Sequence, residues 1–375
     1  MSDDEQRAGD GAPGNFNDDV LGGVGQPETA RGRQRKQRGG RRWRIALVSV
    51  LAVVLVIVAG TAVGGLWLRN RLSGNIETIG DPFAAIDSAD RAPEQDAEDP
   101  ATNILVLGSD SRISAGDPNQ WEAGAQRTDA IMLVQISGDR EDVSVMSLPR
   151  DSWVDIPGYG QNKINAAFSY GGPSLTIQTV EQLTGVRIDH FVVADFESFS
   201  KITDAIGGVT INLKNDQTLA GTDFNAGAQL LNGEQALAYA RERKSLPGGD
   251  FDRVNRQQAW MRAMVGAVLN NGILTSPTKL YSFLTTVTET LAVDDDFTIG
   301  EMQSLATALR GIHSTDINFM TVPTTGTGTS ADGQSIVLLD AEADAPLFEA
   351  FQNDAVEDYL EDNPDAIELL PATVN

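Results

Sequence analysis

Cysteine is absent from the 375-residue sequence, and histidine occurs only twice. Without cysteine, disulfides cannot stabilise a domain and thiol chemistry is excluded. His190 and His313 have no companions at metal-ligand spacing, so we expect both to be structural. The sequence also lacks a Walker phosphate loop, a Gly-x-Ser-x-Gly elbow and a His-Glu-x-x-His helix. A nucleotide-driven enzyme and a serine hydrolase therefore have no support.

Basic residues are few along most of the chain and are concentrated in one short segment. The formal net charge is -25, yet eight basic residues and no acidic residue lie between Arg31 and Arg44. Beyond about residue 70 acidic residues dominate, whereas a protein that binds nucleic acid needs a basic surface. We therefore do not expect nucleic acid as a partner.

One long apolar run, residues 45–68, contains no charged residue. At about 1.5 Å per residue, a helix of this length crosses a hydrocarbon core of about 30 Å. A cleaved signal peptide is the alternative, but the run exceeds the usual apolar core of about 7–15 residues. Because the basic segment precedes the run, the N-terminus is expected in the cytoplasm. We therefore predict a single-pass protein of the cell membrane, with the chain after about residue 70 outside.

Composition divides the chain into five segments. Residues 1–44 have almost no large apolar side chain, which predicts a disordered, basic cytoplasmic segment. The predicted membrane helix at 45–68 is followed by a linker at 69–100 that contains several prolines and acidic residues. A folded domain is predicted at 101–353, and an acidic tail at 354–375.

Strand and helix patterns alternate within the folded domain. Apolar or alternating runs bounded by turn residues predict strands, and apolar residues at helical spacing predict helices. Their mixture predicts an α/β fold. A last short helix is predicted at 345–351, with Asp344 as its N-cap. The opening strands are predicted at 104–107, 131–136 and 143–148, and the main helices at 173–183, 196–205, 234–240, 254–270 and 299–310.

Two carboxylates stand at the ends of the first predicted strands. Asp110 follows the first strand and Asp129 precedes the second, so both would share one sheet edge if these strands are antiparallel neighbours. The short polar loop 137–142 predicts a hairpin that returns Arg150 and Asp151 to the same edge. Paired carboxylates suit magnesium. Aspartates that only form turns are the alternative, and the isolated motifs favour it.

A second polar cluster follows a predicted capping box at 232–235. Arg241 and Arg243 are two residues apart, so they act together only if the helix ends there. The Pro-Gly-Gly sequence at 247–249 supports such a break.

The next predicted helix carries Asp250, Arg253 and Gln257 on one face, with Arg256 alongside. Val254, Met261 and Val265 form an apolar stripe on the other face. Arginines at this density in an acidic domain indicate a site for a doubly charged phosphate. A salt-bridged surface helix fits the pattern equally well.

Several long motifs occur in a fixed order behind the predicted membrane helix. Together they closely resemble the LytR-CpsA-Psr family, and the resemblance runs from about Asn103 to Gln258. It is weaker beyond residue 270. The motifs are NILVLGSDSR, RTDAIMLVQI, VSVMSLPRDSWVDIPGYGQNKINAAFSYGGP, LTGVRIDHFVVADFESF, IGGVTINL, LNGEQALAYARERK and PGGDFDRVNRQQ.

The resemblance implies an α/β fold with a central mixed sheet, flanking helices and a hydrophobic pocket for a polyprenyl chain. A diphosphate would lie at the pocket mouth against arginines and magnesium or manganese. The implied metal ligands are Asp110 and Asp129. The implied catalytic residues are Arg150, Arg241, Arg243 and Asp250, and the implied substrate-binding residues are Arg127, Lys163, Arg253 and Gln257.

The reaction implied by the resemblance is phosphoryl transfer. A polyprenyl-diphosphate-linked glycopolymer would be attached to peptidoglycan through a phosphodiester, with release of polyprenyl phosphate. Teichoic acid, capsule and arabinogalactan are all possible donors. Two alternatives stay open: a diphosphate hydrolase with water as acceptor, and a non-enzymatic envelope regulator. Against the regulator, the cytoplasmic segment has no helix-turn-helix and is too short and polar to form one.

Overall fold

The computed structural model describes residues 77–109, 128–219, 221–241, 250–273 and 276–371. The predicted cytoplasmic segment 1–44 and membrane helix 45–68 lie outside these ranges. Within them, no helix combines the length and the apolar character that a membrane crossing requires.

The described residues contain fifteen strands, the first of which begins at Glu77. They are β1 (Glu77–Thr78), β2 (Thr102–Ser109), β3 (Thr128–Ile136), β4 (Val143–Leu148), β5 (Trp153–Ile156), β6 (Gly160–Lys163), β7 (His190–Asp195), β8 (Val209–Leu213), β9 (Gln217–Leu219), β10 (Thr222–Phe224), β11 (Gly227–Leu231), β12 (Leu291–Val293), β13 (Ile317–Thr321), β14 (Thr324–Thr329) and β15 (Ser335–Leu339).

The helices are longest in the middle of the chain, and short 3-10 helices occur at Ser88–Asp90 and Leu309–Gly311. The α-helices are α1 (Asn165–Thr184), α2 (Phe196–Ala205), α3 (Gly233–Arg241), α4 (Asp250–Asn270), α5 (Pro277–Thr290), α6 (Ile299–Ala308), α7 (Ala341–Gln352) and α8 (Val356–Asp362).

Seven strands form one mixed sheet in the order β1-β12-β7-β2-β3-β4-β13. β2, β3 and β4 are antiparallel neighbours, whereas β7 runs parallel to β2 and β13 runs parallel to β4. The predicted α/β fold with a central mixed sheet flanked by helices is confirmed, as is the hairpin of β3 and β4.

Apolar side chains on both faces of the sheet explain its central position. Leu105 and Leu133 point into one core, which α1 and α7 cover with Phe168 and Phe351. The alternate residues, such as Met132, point into a second core on the other face. A sheet buried on both faces has strands that are apolar almost throughout, as these strands are.

Helix α1 bends sharply near its first third. Gly171 and Gly172 have non-helical backbone angles, and Pro173 follows them. Gly172 has a φ of 63° and a ψ of -152°, which a residue with a side chain rarely adopts. The bend separates a first short segment, ending at Tyr170, from the longer segment that packs on the sheet.

Segments on both sides of the predicted domain belong to the fold. β1 extends the sheet through β12, and Arg91 Nη2 lies 2.8 Å from Oε1 of the buried Glu181. At the other end, α8 buries Val356, and the Leu370 amide donates to Phe319 O at 2.8 Å. Residues of the predicted linker and of the predicted tail therefore contact the domain predicted at 101–353.

Helix α7 begins earlier than its sequence pattern predicts. Asp340, not Asp344, is its N-cap and accepts a hydrogen bond from the Ala343 amide at 3.2 Å. Asp344 lies inside the helix and is buried. The predicted cap was wrong because Asp340 directly follows β15, and the strand end fixes where the helix begins.

Candidate functional site

One edge of the central sheet gathers the polar residues predicted from sequence. Ser109 at the end of β2 pairs with both Thr128 at the start of β3 and Asp195 at the end of β7. Leu148 at the end of β4 pairs with Ile131. The strand register therefore brings the end of β2, the start of β3 and the end of β4 to the same end of the sheet.

Asp129 at this edge is contacted by two arginines. Arg150 Nη1 donates a hydrogen bond to Asp129 Oδ1, and Arg253 Nη1 lies 3.2 Å from the same oxygen. Arg253 Nη2 also donates to the Asp129 backbone carbonyl at 3.3 Å. Asp129 is 2% exposed and Arg253 is 1% exposed. The predicted convergence of Asp129 and Arg150 is confirmed, and Arg253 joins them from α4.

A second ion pair lies beside the first. Lys163 Nζ is 3.1 Å from Asp151 Oδ1, and Arg150 Nε is 3.7 Å from Asp151 Oδ2. Lys163 reaches this position because it ends β6, opposite Trp153 on β5. Three basic and two acidic side chains are thus in contact here. The sequence pattern places Asp151 at this edge beside Arg150, but it does not predict the ion pair with Lys163, which depends on the cross-strand pairing of β5 and β6.

Gln257 lies one helical turn after Arg253, on the same face of α4. It is 6% exposed, and neither Nε2 nor Oε1 has a hydrogen bond to any residue that the structure describes. Leaving a buried amide without partners costs about 1–3 kcal/mol, so such a group in a native fold requires an explanation. A ligand that accepts a hydrogen bond from Nε2 would supply one for the donor half of this amide.

The other polar residues of α4 hold the helix in place. Arg256 Nη2 donates to Gln217 Oε1 at 2.7 Å, and its guanidinium lies 4.8 Å from the centre of the Tyr239 ring. Gln258 Nε2 donates to Ser147 Oγ and to the Met320 carbonyl, each at 2.7 Å. Both side chains are buried. The surface-helix interpretation of this segment is therefore wrong.

The apolar residues of α4 differ from the predicted stripe. Val254 is buried, but Met261 and Val265 are only partly buried. Trp260 and Met264 supply the buried contacts in their place. Because α4 is enclosed on several sides, its apolar surface is wider than a single stripe.

For two of the remaining predicted site residues the structure gives a position in a helix, and three others lie outside the described residues. Arg241 is the last residue of α3 and is exposed. Asp250 is the first residue of α4. Asp110, Arg127 and Arg243 lie outside the described residues.

The predicted metal site is only partly described. Carboxylate oxygens are ligands that magnesium prefers, and Asp129 provides them at the sheet edge. Its Oδ1 also holds Arg150 and Arg253, so a metal ion would share this carboxylate with two guanidinium groups. Among the described residues there is no group of three or more acidic or histidine side chains suited to a metal ion.

His190 lies at the opposite edge of the sheet and is buried. Its ring stacks on Phe297 with centroids 4.4 Å apart, and Nδ1 is 3.4 Å from Asp294 Oδ1. Burial lowers the pKa of His190, but the hydrogen bond and charge of Asp294, with Glu301, raise it more, so the pKa lies above its ordinary value. These contacts agree with a structural histidine.

A cavity of about 510 Å³ opens beside His190. Arginine, aspartate and glutamate side chains, including Arg187 and Glu301, line much of it. A lining of this kind does not suit a polyprenyl chain, so the apolar lipid pocket implied by the family resemblance stays a prediction.

Comparisons with known proteins agree on one family. The model of the LytR_cpsA_psr family matches residues 78–352. The cell wall biosynthesis protein LcpA of Corynebacterium glutamicum is 32% identical, over 84% of this chain. The chain spans 66% of the length of LcpA, which is slightly less than two thirds.

Two further comparisons concern teichoic acid proteins. The polyisoprenyl-teichoic acid--peptidoglycan teichoic acid transferase TagU of Oceanobacillus iheyensis is 30% identical, over 80% of this chain and 91% of its own length. The structure of TagT bound to LI-WTA superposes with a TM-score of 0.56 at 25% identity, covering 72% of this chain and 96% of TagT.

Proposed function

Because the chain belongs to the LytR-CpsA-Psr family, we propose that it is a phosphotransferase that attaches a polyprenyl-diphosphate-linked glycopolymer to peptidoglycan. The product would be a phosphodiester, and polyprenyl phosphate would be released. The names of LcpA and TagU support a role in cell wall assembly. Teichoic acid, capsule and arabinogalactan are the candidate donors.

One observation carries the proposal: a buried arginine and a buried, unpartnered amide share one face of α4. Arg253 is held on Asp129, and Gln257 has no hydrogen bond within the described residues. Guanidinium groups bind phosphate oxygens through paired, charge-assisted hydrogen bonds. The amide nitrogen of Gln257 adds a further donor. A diphosphate matches this set of donors and charges.

The proposed chemistry needs positioning and charge neutralisation rather than a nucleophilic side chain. A peptidoglycan hydroxyl oxygen attacks the phosphorus that carries the first sugar. The bond from that phosphorus to the bridging oxygen breaks, and polyprenyl phosphate leaves with the electron pair. Arg150 and Arg253 would stabilise the charge that develops on the leaving phosphate, and Asp250 is proposed to accept the hydroxyl proton.

The other implied residues complete the proposal. Arg241, at the end of α3, and Arg243 would bind the diphosphate, and Arg127 and Lys163 would support them. Asp110 and Asp129 would hold magnesium or manganese, which supplies positive charge to phosphate oxygens when bound. Calorimetric titration of Mg²⁺ into wild type and Asp110→Asn tests the metal directly, because equal binding by both proteins would contradict this ligand assignment.

A product analysis tests the function itself. The full-length protein in detergent micelles is incubated with peptidoglycan and a labelled lipid-diphosphate donor of each candidate polymer. We expect label in wall-linked phosphodiester for at least one donor. Free phosphorylated glycan would instead indicate a hydrolase, and unconverted donor in every reaction would contradict both activities. Heat-denatured protein provides the control.

A further inference from the structure

An exposed pair of stacked tyrosines lies outside the residues assigned so far. Tyr159 is 55% exposed and Tyr170 is 38% exposed. Their ring centroids are 4.7 Å apart with an angle of 18° between the planes. The other large hydrophobic side chains that are exposed in the described residues are leucines, which lie on other elements: Leu230, Leu338 and Leu369. Each ring covers one face of the other, so the pair presents its remaining ring surface to solvent as one aromatic patch, which we call the tyrosine platform.

Both rings are held in place without a ligand. Tyr159 occupies the tight turn between β5 and β6, where its amide donates to Ile156 O at 2.9 Å. Gly158 and Gly160 on either side have φ angles of 78° and 71°, which shape this turn. Asn162 Nδ2 donates to Tyr170 Oη at 3.0 Å, which fixes the second ring. A ligand that stacks here would lose little affinity to ordering these side chains.

The platform is connected to the candidate site by one strand. β6 runs from Gly160, next to Tyr159, to Lys163, whose Nζ contacts Asp151. Three steps along a strand at about 3.3 Å each place the turn about 10 Å from Lys163. The distance is on the scale of a short oligosaccharide. A chain that starts at the site and follows the hairpin would therefore reach the tyrosines.

We propose that Tyr159 and Tyr170 bind the sugar residues of the donor glycan that follow its diphosphate. This inference rests on the proposed function. Pyranose rings carry a face of C–H groups that stacks on an aromatic ring, while their hydroxyls remain in water. Tyrosine suits such a ligand because its ring is apolar and its hydroxyl is polar. The donor is favoured over the acceptor because its sugars are covalently joined to the phosphate bound at the other end of the hairpin.

The test compares donors of two lengths on the full-length protein. The probes are farnesyl diphosphate linked to one hexose and the same donor extended to four hexoses. We expect a lower KM for the longer donor with the wild type. In Tyr159→Ala/Tyr170→Ala, the KM of the longer donor should rise about tenfold, equivalent to about 1.4 kcal/mol. The KM of the one-hexose donor should stay unchanged.

Control variants distinguish loss of the aromatic ring from misfolding and from the loss of any exposed apolar side chain. Tyr159→Phe keeps the ring and should behave like the wild type. Leu230→Ala removes an exposed apolar side chain on β11 and should leave the KM of both donors unchanged. Thermal unfolding checks that each variant is folded. An unchanged preference for the long donor in the folded double variant would overturn the proposal.

Two further outcomes are informative. If the double variant loses activity equally with both donors, and only in bilayer nanodiscs rather than micelles, the platform contacts the membrane and the proposal is wrong. If the wild type converts neither donor, the proposed function fails separately. In that case, calorimetry measures binding of the free tetrasaccharide to the wild type and to the double variant. Binding by the wild type that is lost in the double variant supports the proposal. Absence of binding by the wild type, or equal binding by both proteins, opposes it.

Discussion

Gln257 and Gln258 are adjacent on α4 and are both buried, yet their amides have different surroundings. Gln258 donates to Ser147 and to the Met320 carbonyl, whereas Gln257 has no hydrogen bond within the described residues. A buried amide that is satisfied stabilises the fold, and one that is not satisfied destabilises it. The two residues therefore provide a matched pair for separating stability from function.

Gln257→Leu should make the protein more stable and less active. Removing an unsatisfied buried amide while keeping its volume should increase the free energy of unfolding by about 1 kcal/mol. Losing its contact with the diphosphate should reduce transfer about tenfold or more. Gln258→Leu is the control, and it should lower the unfolding temperature because it breaks bonds to β4 and β13. Chemical denaturation and turnover are measured for both. A destabilised Gln257→Leu would contradict the ligand interpretation.

Arg241→Lys tests whether the exposed end of α3 binds phosphate. Lysine keeps the charge but cannot copy the paired hydrogen bonds of arginine, so transfer should fall at least about tenfold. The unfolding temperature should stay near that of the wild type because Arg241 is exposed. Arg310→Lys, an exposed arginine after α6, is the control and should change neither quantity. Wild-type turnover in Arg241→Lys would remove this residue from the proposed site.

At the level of elements, local signals in the sequence predicted six of the eight α-helices that the structure describes, but not α5 (Pro277–Thr290) or α8 (Val356–Asp362). The capping box at 232–235 is present, since Asn232 Oδ1 accepts from the Gln235 amide and Gln235 Oε1 accepts from the Asn232 amide. Helix α2 has the predicted bounds, Phe196–Ala205. Contacts between distant segments were not predictable in this way. Lys163 meets Asp151 only through the β5–β6 hairpin, and the burial of Arg256 depends on Tyr239 of another helix.

Helix α7 contains a carboxylate that should make stability depend on pH. Burial, together with the charge of Asp340, raises the pKa of Asp344 to about 7. The folded state therefore holds a proton that the unfolded state has released, so stability falls as the pH rises from about 4 to 7. Asp344→Asn should remove this loss of stability. At pH 8 it should increase the free energy of unfolding by about 1 kcal/mol, which corresponds to a rise in unfolding temperature of about 2–4 °C.

The unfolding temperatures of the wild type and of Asp344→Asn are measured at pH 5 and at pH 8, with one control variant. At pH 5 the Asp344→Asn variant and the wild type should unfold at similar temperatures, because Asp344 is still largely protonated. Asp365→Asn changes an exposed carboxylate near the C-terminus and should leave the difference between the two pH values unchanged. An equal effect of Asp344→Asn at both pH values would mean that its carboxyl group does not titrate in this range.

At the level of the whole molecule, the described fold begins a short distance along the sequence after the predicted membrane helix. Only residues 69–76 separate that helix from β1, which is paired with β12. Arg91 then binds the buried Glu181.

Protease treatment of intact protoplasts tests the predicted topology. With the N-terminus inside and one span at 45–68, added protease should remove the domain after residue 70 and leave a small membrane-bound fragment. Antibodies against the two ends of the chain identify the fragments. Lysed protoplasts are the control, in which both ends should be digested. Complete protection of the C-terminal end in intact protoplasts would contradict an external domain.

The order in which the sheet receives its strands constrains how the chain can fold during synthesis. β7 acquires its outer neighbour only when residues 291–293 are available, and β4 only when residues 317–321 are available. Until then both flanks of the inner strands carry open backbone hydrogen-bonding groups, which favour aggregation. If the segment after the predicted span crosses the membrane in chain order while the N-terminus stays inside, the inner strands emerge long before the strands that cover them. Chaperone protection outside the cytoplasm would then be needed from the completion of β7 at residue 195 until β13 is complete at residue 321.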